Sequence, residues 1–388
     1  MISNRCKKYC TGCGLCSSLN KASLVKDKKG FSHPETGDQR WLSLVCPAEG
    51  KHQVWMDKTI WGRATHVYYG WSLDEKVRAM ASSGGALTEI ASFLLESHMV
   101  DAVIHTGVHN ENPTGTMTYI SYTRDEMIQR SGSRYAISHP LENFDDLDMS
   151  LKYAFIGKPC DVIALKNYME VNSNVKQIIY ITLSFFCAGL PSDTAQNKLL
   201  EQLGCEKSKC ELLRYRGNGW PGFATAVDTN GKEYKMDYDS SWGKILGRDI
   251  MPACRFCIDG IGEVADIACG DAWYLTVDLK PDFSEHKGRN VIIARTPEGN
   301  HLLQKIKKQG LLYLVDFADY KEKLVYMQHF QRERKETMLA KKLAMSIMGR
   351  PFPKYSLKLL YSYYKGTEIK YSWWTFKGTI KRVLQGKI

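Results

Sequence analysis

Apolar positions along this chain fall into two rhythms. From Ala86 they recur at helical spacing, through Leu87, Ile90, Ala91, Leu94 and Leu95, which predicts an amphipathic helix. Elsewhere they form continuous runs too short for a helix and bounded by glycine, proline or polar residues, which predicts buried strands at 100–106, 153–156, 178–186, 264–268 and 290–294. An amphipathic helical pattern over 302–310 follows the last of these. Between 210 and 250, aromatic- and glycine-rich extended segments predict further β structure. Buried strands interleaved with helices make a mixed α/β (α+β) fold. A polar, cysteine-bearing stretch precedes it, and a stretch of basic clusters alternating with Trp373, Trp374, Phe376 and tyrosines follows it. The predicted divisions are 1–58, 65–145, 146–330 and 331–388.

Composition narrows this picture in two places. A length of 388 residues exceeds one ordinary core, so more than one domain is expected. No apolar run is long enough to span a bilayer, and the polar N-terminus lacks a signal-peptide core, so a cytoplasmic protein is expected. Structural disulfides are rare there, and twelve cysteines then point to metal or cluster ligation. The net charge of +11 is also localised. Positions 331–388 hold 14 of the 53 Lys and Arg and 3 of the 42 Asp and Glu, which leaves 39 of each sign in the body. A basic aromatic tail reads either as a helical extension packed on its own body or a twin subunit, or as an attachment to the anionic inner face of the membrane. No nucleic-acid module is present in the pattern, so no nucleic-acid partner is expected.

The cysteines carry the candidate chemistry. Cys10, Cys13 and Cys16 are spaced by two residues, and Cys46-Pro47 follows at a distance. This is the iron–sulfur pattern of bacterial ferredoxins, with one departure: Asn20-Lys21 stands where the fourth Cys-Pro would ordinarily follow. These four read as one [4Fe-4S] set with Cys6 spare, although four thiolates also suit tetrahedral zinc. Downstream, Cys254 and Cys257 form a Cys-x-x-Cys pair before Asp259 and a Gly260-Ile261-Gly262 turn. The runs at 153–156 and 178–186 each lead into a lone cysteine, through Gly157-Lys158-Pro159-Cys160 and into Cys187-Ala188-Gly189. Open α/β sheets bind ligands at the carboxyl ends of their strands. A lone buried cysteine is ordinarily a small hydrophobe. Two at equivalent strand ends plus the downstream pair make a second four-thiolate site of Cys160, Cys187, Cys254 and Cys257. Cys205, Cys210 and Cys269 lack such context and read as structural.

Three small-residue loops complete the candidates. Ser82-Ser83-Gly84-Gly85 opens the helix at Ala86 and is either an anion site or an N-cap with a flexible turn. Gly132-Ser133-Arg134-Tyr135 adds a cation and an aromatic ring suited to the phosphates and rings of a dinucleotide. Gly270-Asp271 reads as a strand-end loop where backbone approaches a ligand.

Taken in order, these motifs resemble the beta subunit family of coenzyme F420 hydrogenases and dehydrogenases (FrhB/FdhB-like), over about residues 8–315. The resemblance implies a small ferredoxin-like iron–sulfur segment, then a flavin-binding α/β domain, then a basic helical tail. It implies two [4Fe-4S] clusters on the two cysteine sets, and FAD held by Ser82, Ser83, Gly84, Gly85, Gly132, Ser133, Arg134, Tyr135, Gly157, Lys158, Gly270 and Asp271. Lys158 and Tyr135 are the candidate catalytic residues. Electrons would pass between ferredoxin or a similar carrier and a small organic substrate. Family members reduce a deazaflavin, a related plant enzyme reduces a chlorophyll derivative, and many bacterial relatives are associated with exopolysaccharide synthesis. The single split N-terminal set and basic tail look closest to that bacterial group. The alternative is a zinc- or cluster-stabilised non-catalytic scaffold at the membrane surface. Because the tail lies outside the resemblance, clusters and flavin are expected not to depend on it.

Overall fold

The structure is a computed structural model in which residues 1–51, 55–386 and 388 are described. Eight strands form one mixed sheet: β1 (His66–Ser72), β2 (Ala102–Val108), β3 (Thr116–Ser121), β4 (Tyr153–Gly157), β5 (Ile179–Phe185), β6 (Ile267–Asp271), β7 (Asn290–Ala294) and β8 (Leu312–Asp316). Their order is β8-β1-β7-β6-β5-β4-β2-β3. The central strands β2, β4, β5 and β6 are parallel, and the flanking ones pair antiparallel. Every residue of β4 and β7 is buried, the pattern expected of strands covered on both faces. Helices α1 (Ala86–Glu96) and α3 (Pro297–Lys308) pack into the core of one face through Ile90, Leu94, Leu302 and Ile306. Helix α2 (Pro159–Met169) covers the other through Val162 and Leu165. Strands β1 to β3 come from the predicted 65–145 division and β4 to β8 from 146–330, so the sheet is continuous across that boundary.

The structure shifts several predicted elements. Gly270-Asp271 is not a loop but the end of β6, paired with Val291 and Asn290. The strand starts late because the Asp266 carboxylate accepts bonds from Thr182 N (2.8 Å) and Oγ1 (2.6 Å), which fixes the chain before Ile267. Cys160 lies in the first turn of α2, which Pro159 opens. Ile178 ends a short helix, Ser173–Ile178, before β5. The 210–250 region holds an antiparallel three-stranded sheet, Cys210–Arg214, Ala224–Asp228 and Glu233–Met236, as predicted to that point. Residues 239–248 are instead helical, which turns Trp242, Ile245 and Leu246 into one cluster with Leu199 and Tyr215.

The N-terminal segment consists of a hairpin, Ala22–Lys26 with Ser32–Gly37, and short helices. The tail is helical: α4 (His329–Glu336), α5 (Met338–Ile347), α6 (Leu357–Tyr364) and α7 (Ile369–Leu384). It packs on its own body. Met338, Met345, Leu360, Tyr363 and Val383 share a core with Tyr9, Ala48, Phe256 and Ile258. The Lys335 ammonium is buried against Glu263 and donates to Ile60 O at 2.7 Å. Among the described residues no helix is long and apolar enough to cross a membrane.

Candidate functional site

Because β4, β5 and β6 run parallel, their carboxyl ends open at one edge of the sheet, and both cavities described below lie there. Cys160, Cys187, Cys254 and Cys257, far apart in sequence, together line a small cavity at that edge. All are free thiols. Burial pushes each one up, Cys254 to about 12, while Arg334 pulls Cys187, Cys254 and Cys257 back and Lys158 does so for Cys160 and Cys187. Leu190 N–H is directed at Cys254 Sγ at 3.3 Å. Arg334 is a residue the sequence reasoning missed. Its guanidinium donates to Cys187 O at 2.8 Å and Cys254 O at 2.9 Å, so the first tail helix holds two of the four cysteine loops. Gly260 makes this approach possible, since a Cβ there would lie 2.5 Å from Arg334 Nη1 and collide with Gln331. The expectation that this site is independent of residues 331–388 is therefore overturned.

The N-terminal set gathers beside it. Cys10 lies within electrostatic reach of Cys13, Cys16 and Cys46, and burial raises Cys10 to about 12 and Cys16 to about 11. Gly12 N–H points at Cys10 Sγ at 3.4 Å. Cys6 is more than a spare. Interaction with the Cys46 thiol lowers Cys6 and raises Cys46, and the Cys6 Sγ donates to Glu49 Oε1 at 3.4 Å. Tyr9, Thr11 and Pro47, neighbours of this set, line the same small cavity as the second set. Among the described residues no group of three or more His, Cys, Asp or Glu side chains is placed to hold a single metal ion.

A larger cavity of about 980 Å³ opens on the other side of Cys187 and Cys254, which with Lys158 line both spaces. Ser82, Ser83, Gly85, Gly132, Ser133, Arg134, Tyr135, Gly157, Lys158, Gly270 and Asp271 all line it. The two serine–glycine loops meet directly, Ser133 N–H donating to Ser82 Oγ at 2.6 Å. Gly84 is absent from the lining. A Cβ there would stand 2.7 Å from Asn290 Oδ1 and 2.9 Å from Arg289 Cα, so its smallness serves packing of the loop on β7.

Two predicted charges are engaged by the protein itself. Arg134 donates to the carbonyls of Leu213 (2.7 Å), Pro113 (2.7 Å) and Gly115 (2.9 Å), which makes it a brace, with only Nε left over. Asp271 is clamped by the buried Arg216 (2.9 and 3.1 Å) and by Trp220 Nε1 (2.8 Å), partners no local pattern announced. Tyr135 packs against Trp242 and Tyr215, and burial raises its phenol. Lys158 Nζ contacts Asp161 and Ser138, both at 2.8 Å. Burial opposes its charge, but Asp161 and the thiols of Cys160 and Cys187 outweigh this and raise its pKa. Ser131 Oγ, Arg134 Nε and Asp161 Oδ1, on residues lining the cavity, are buried without a hydrogen-bond partner in the protein. Such atoms call for a polar ligand.

Fold and site thus define a mixed-sheet α/β protein with two thiol sets beside a ligand-sized cavity at its parallel strand ends. The sequence matches coenzyme F420 hydrogenase/dehydrogenase, beta subunit N-term, over residues 67–144 and the corresponding C terminus over 150–320. The chain belongs to this family. It is 22% identical over 282 residues to coenzyme F420 hydrogenase subunit beta of Methanosarcina barkeri, covering 68% of this chain and 86% of that one. It is 25% identical over 309 residues to 7-hydroxymethyl chlorophyll a reductase of Oryza sativa subsp. japonica, covering 79% of this chain and 62% of that one. Among solved structures, a chain of the F420-reducing [NiFe] hydrogenase complex from Methanosarcina barkeri shares the fold, with a TM-score of 0.59 at 18% identity over 76% of this chain and 98% of that one. Helices α4 to α7 lie beyond the family-matched residues.

Proposed function

We propose that the chain is an iron–sulfur flavoprotein subunit of an oxidoreductase, passing electrons between a one-electron carrier such as ferredoxin and a small organic substrate. The observation that carries this reading is the shared wall. Cys187, Cys254 and Lys158 face both the thiol-lined space and the large cavity, so a redox group in one adjoins a ligand in the other. The N-terminal set adjoins this space through its neighbours Tyr9 and Pro47. A [4Fe-4S] cluster takes one thiolate per iron, and the even spacing of Cys10, Cys13 and Cys16 with a distant Cys46-Pro47 supports such a cluster over tetrahedral zinc. When bound, clusters carry electrons singly and FAD exchanges them singly or in pairs, so that two electrons and one proton reach the substrate as a hydride equivalent.

The chain's own residues would do the rest. Gly132 leaves the cavity open, with only Ser82 Oγ within 4 Å of where its Cβ would stand. Ser131 Oγ and Arg134 Nε are free to bond the cofactor. Lys158 provides a fixed positive charge between cofactor and thiols, and Tyr135 an aromatic wall. On the outer side, α7 exposes Trp373 and Trp374 with Lys370, Lys377 and Lys381, which supports contact with an anionic membrane surface. Anaerobic purification with iron, sulfide, flavin and zinc analysis tests the main reading. About eight irons and one flavin per chain are expected, and a colourless protein with stoichiometric zinc would overturn it.

A further inference from the structure

The wall of the large cavity contributed by the tail has a character of its own. Helix α7 turns Tyr371, Thr375, Thr379 and Arg382 toward it, a single stripe at successive helical turns, and α5 adds Lys341. Arg255, which lies between the paired cysteines and ends the short helix Pro252–Arg255, completes the group. The Lys341 ammonium donates to Arg255 O at 3.0 Å, and Arg255 Nη2 donates to Arg248 O at 3.0 Å, so these bonds satisfy donors without neutralising charge. Arg334, Arg382 and Arg255 all lie near enough to repel the Lys341 charge, and Arg382 repels that of Arg255, while the thiols of Cys257 and Cys254 act on Lys341 and Arg255 in the opposite sense. The carboxylate that acts on Arg255 is Asp249, which is already held by Lys29 at 2.5 Å and Ser192 Oγ at 2.6 Å. Glu333 is the acidic residue on the tail's part of the wall, against Arg334, Lys341 and Arg382.

Like charges gathered on a recessed wall repel one another, and an anion bound among them reverses the sign of that interaction. We propose that Arg255, Lys341 and Arg382 form an anion subsite that takes a phosphate or diphosphate group of the organic substrate. The word substrate rests on the function proposed above. FAD carries the same chemistry in its own diphosphate, but the unpartnered Ser131 Oγ and Arg134 Nε lie in a loop within the family-matched residues, whereas Lys341 and Arg382 lie beyond them. The tail thus adds recognition to a cavity that the family frame already builds.

The test compares the full-length protein with its Lys341→Met, Arg382→Met double variant, both purified anaerobically. Binding of inorganic pyrophosphate is read by isothermal titration calorimetry at fixed ionic strength, and iron and flavin per chain are measured on the same samples. The expected result is pyrophosphate binding that weakens at least about tenfold in the variant with cofactor content unchanged. Equal affinity in the two proteins, or no binding to either, overturns the subsite. Loss of flavin together with pyrophosphate affinity gives the anion site to FAD and overturns the substrate assignment. If the double variant does not fold, Arg382→Gln on exposed Arg382 supplies the same comparison. Cofactor content of the unaltered protein tests the iron–sulfur flavoprotein reading separately.

Discussion

Replacing Arg334 with methionine keeps the length and apolar stem of the side chain and removes its charge and donors. Arg334 is buried, and its bonds of 2.8 and 2.9 Å end on the carbonyls of two cysteines of the second set. A hydrogen bond from a charged donor contributes about 1.5–3 kcal/mol, so the pair anchors these loops by roughly 3–6 kcal/mol. That is comparable to the whole net stability of an ordinary domain, about 5–15 kcal/mol. The variant also deprives Cys187, Cys254 and Cys257 of the nearby cation that favours their thiolate forms. The expected outcome is loss of about four of about eight irons per chain, with the N-terminal set retained, and a lowered Tm. Arg334→Lys should be intermediate, since an ammonium keeps the charge but not the fork that spans two carbonyls. Gly260→Ala approaches the same contact from the other side and should reproduce the defect. Full iron content and an unchanged Tm in Arg334→Met would refute the reasoning, because the remaining tail contacts, Gln331 Nε2 on Cys187 O at 3.1 Å and Lys341 Nζ on Arg255 O at 3.0 Å, would then suffice to hold these loops.

Gly132→Val should project into the large cavity, where only Ser82 Oγ stands within 4 Å of the added Cβ, at a backbone cost of about 1–2 kcal/mol for its positive φ, and if the proposed function holds flavin content should fall while iron stays; retained flavin would move the cofactor elsewhere. Burial holds the pKa of His105 at about 4, well below the unfolded value of about 6.5, with Arg130 adding to the effect. The folded state therefore binds fewer protons than the unfolded state in that window, and stability falls as pH drops through it. The slope is about 1.4 kcal/mol per pH unit, or about 2 kcal/mol between pH 6.5 and 5. Denaturant midpoints measured across that range should show a flatter dependence for His105→Gln, and parallel curves would dismiss the idea. Replacing Trp373 and Trp374 with alanine should weaken co-sedimentation with vesicles rich in anionic lipid, at low salt above all; unchanged binding would remove the membrane contact.

Much of the frame was legible because burial on both faces writes itself as continuous apolar runs. The run at 153–156 becomes β4 and 290–294 becomes β7, with each residue buried. The strand-end cysteines were legible because chain direction in a parallel sheet places successive carboxyl ends together. Contacts between distant segments were not. Arg216 on Asp271 and Arg334 on the carbonyls of Cys187 and Cys254 join residues with no shared period or spacing. Arg134 shows a subtler limit. Its residue type suits a phosphate site, but three nearby carbonyls claim the guanidinium first. The helical turn at 239–248 escaped because Trp242 and Tyr238 favour strands locally, and only tertiary packing of Ile245 and Leu246 reverses that preference.

The tail shows why a charge count does not by itself identify a partner. Its 14 Lys and Arg against 3 Asp and Glu suggest a surface for something anionic. The helices divide that charge between two faces. Arg334 and Lys335 are buried, one on the cysteine loops and the other on Glu263, while Lys341 and Arg382 line the large cavity. Lys370, Lys377 and Lys381 remain on the outer side of α7 with Trp373 and Trp374. The buried pair Arg334 and Lys335 acts through short range and low dielectric, where salt screens little, whereas the outer group is screened over about 10 Å at 0.1 M salt. The two faces are therefore separable by ionic strength. Added salt should release the protein from an anionic surface long before it disturbs the cysteine loops, so removal of the whole tail would confuse two effects that single substitutions keep apart.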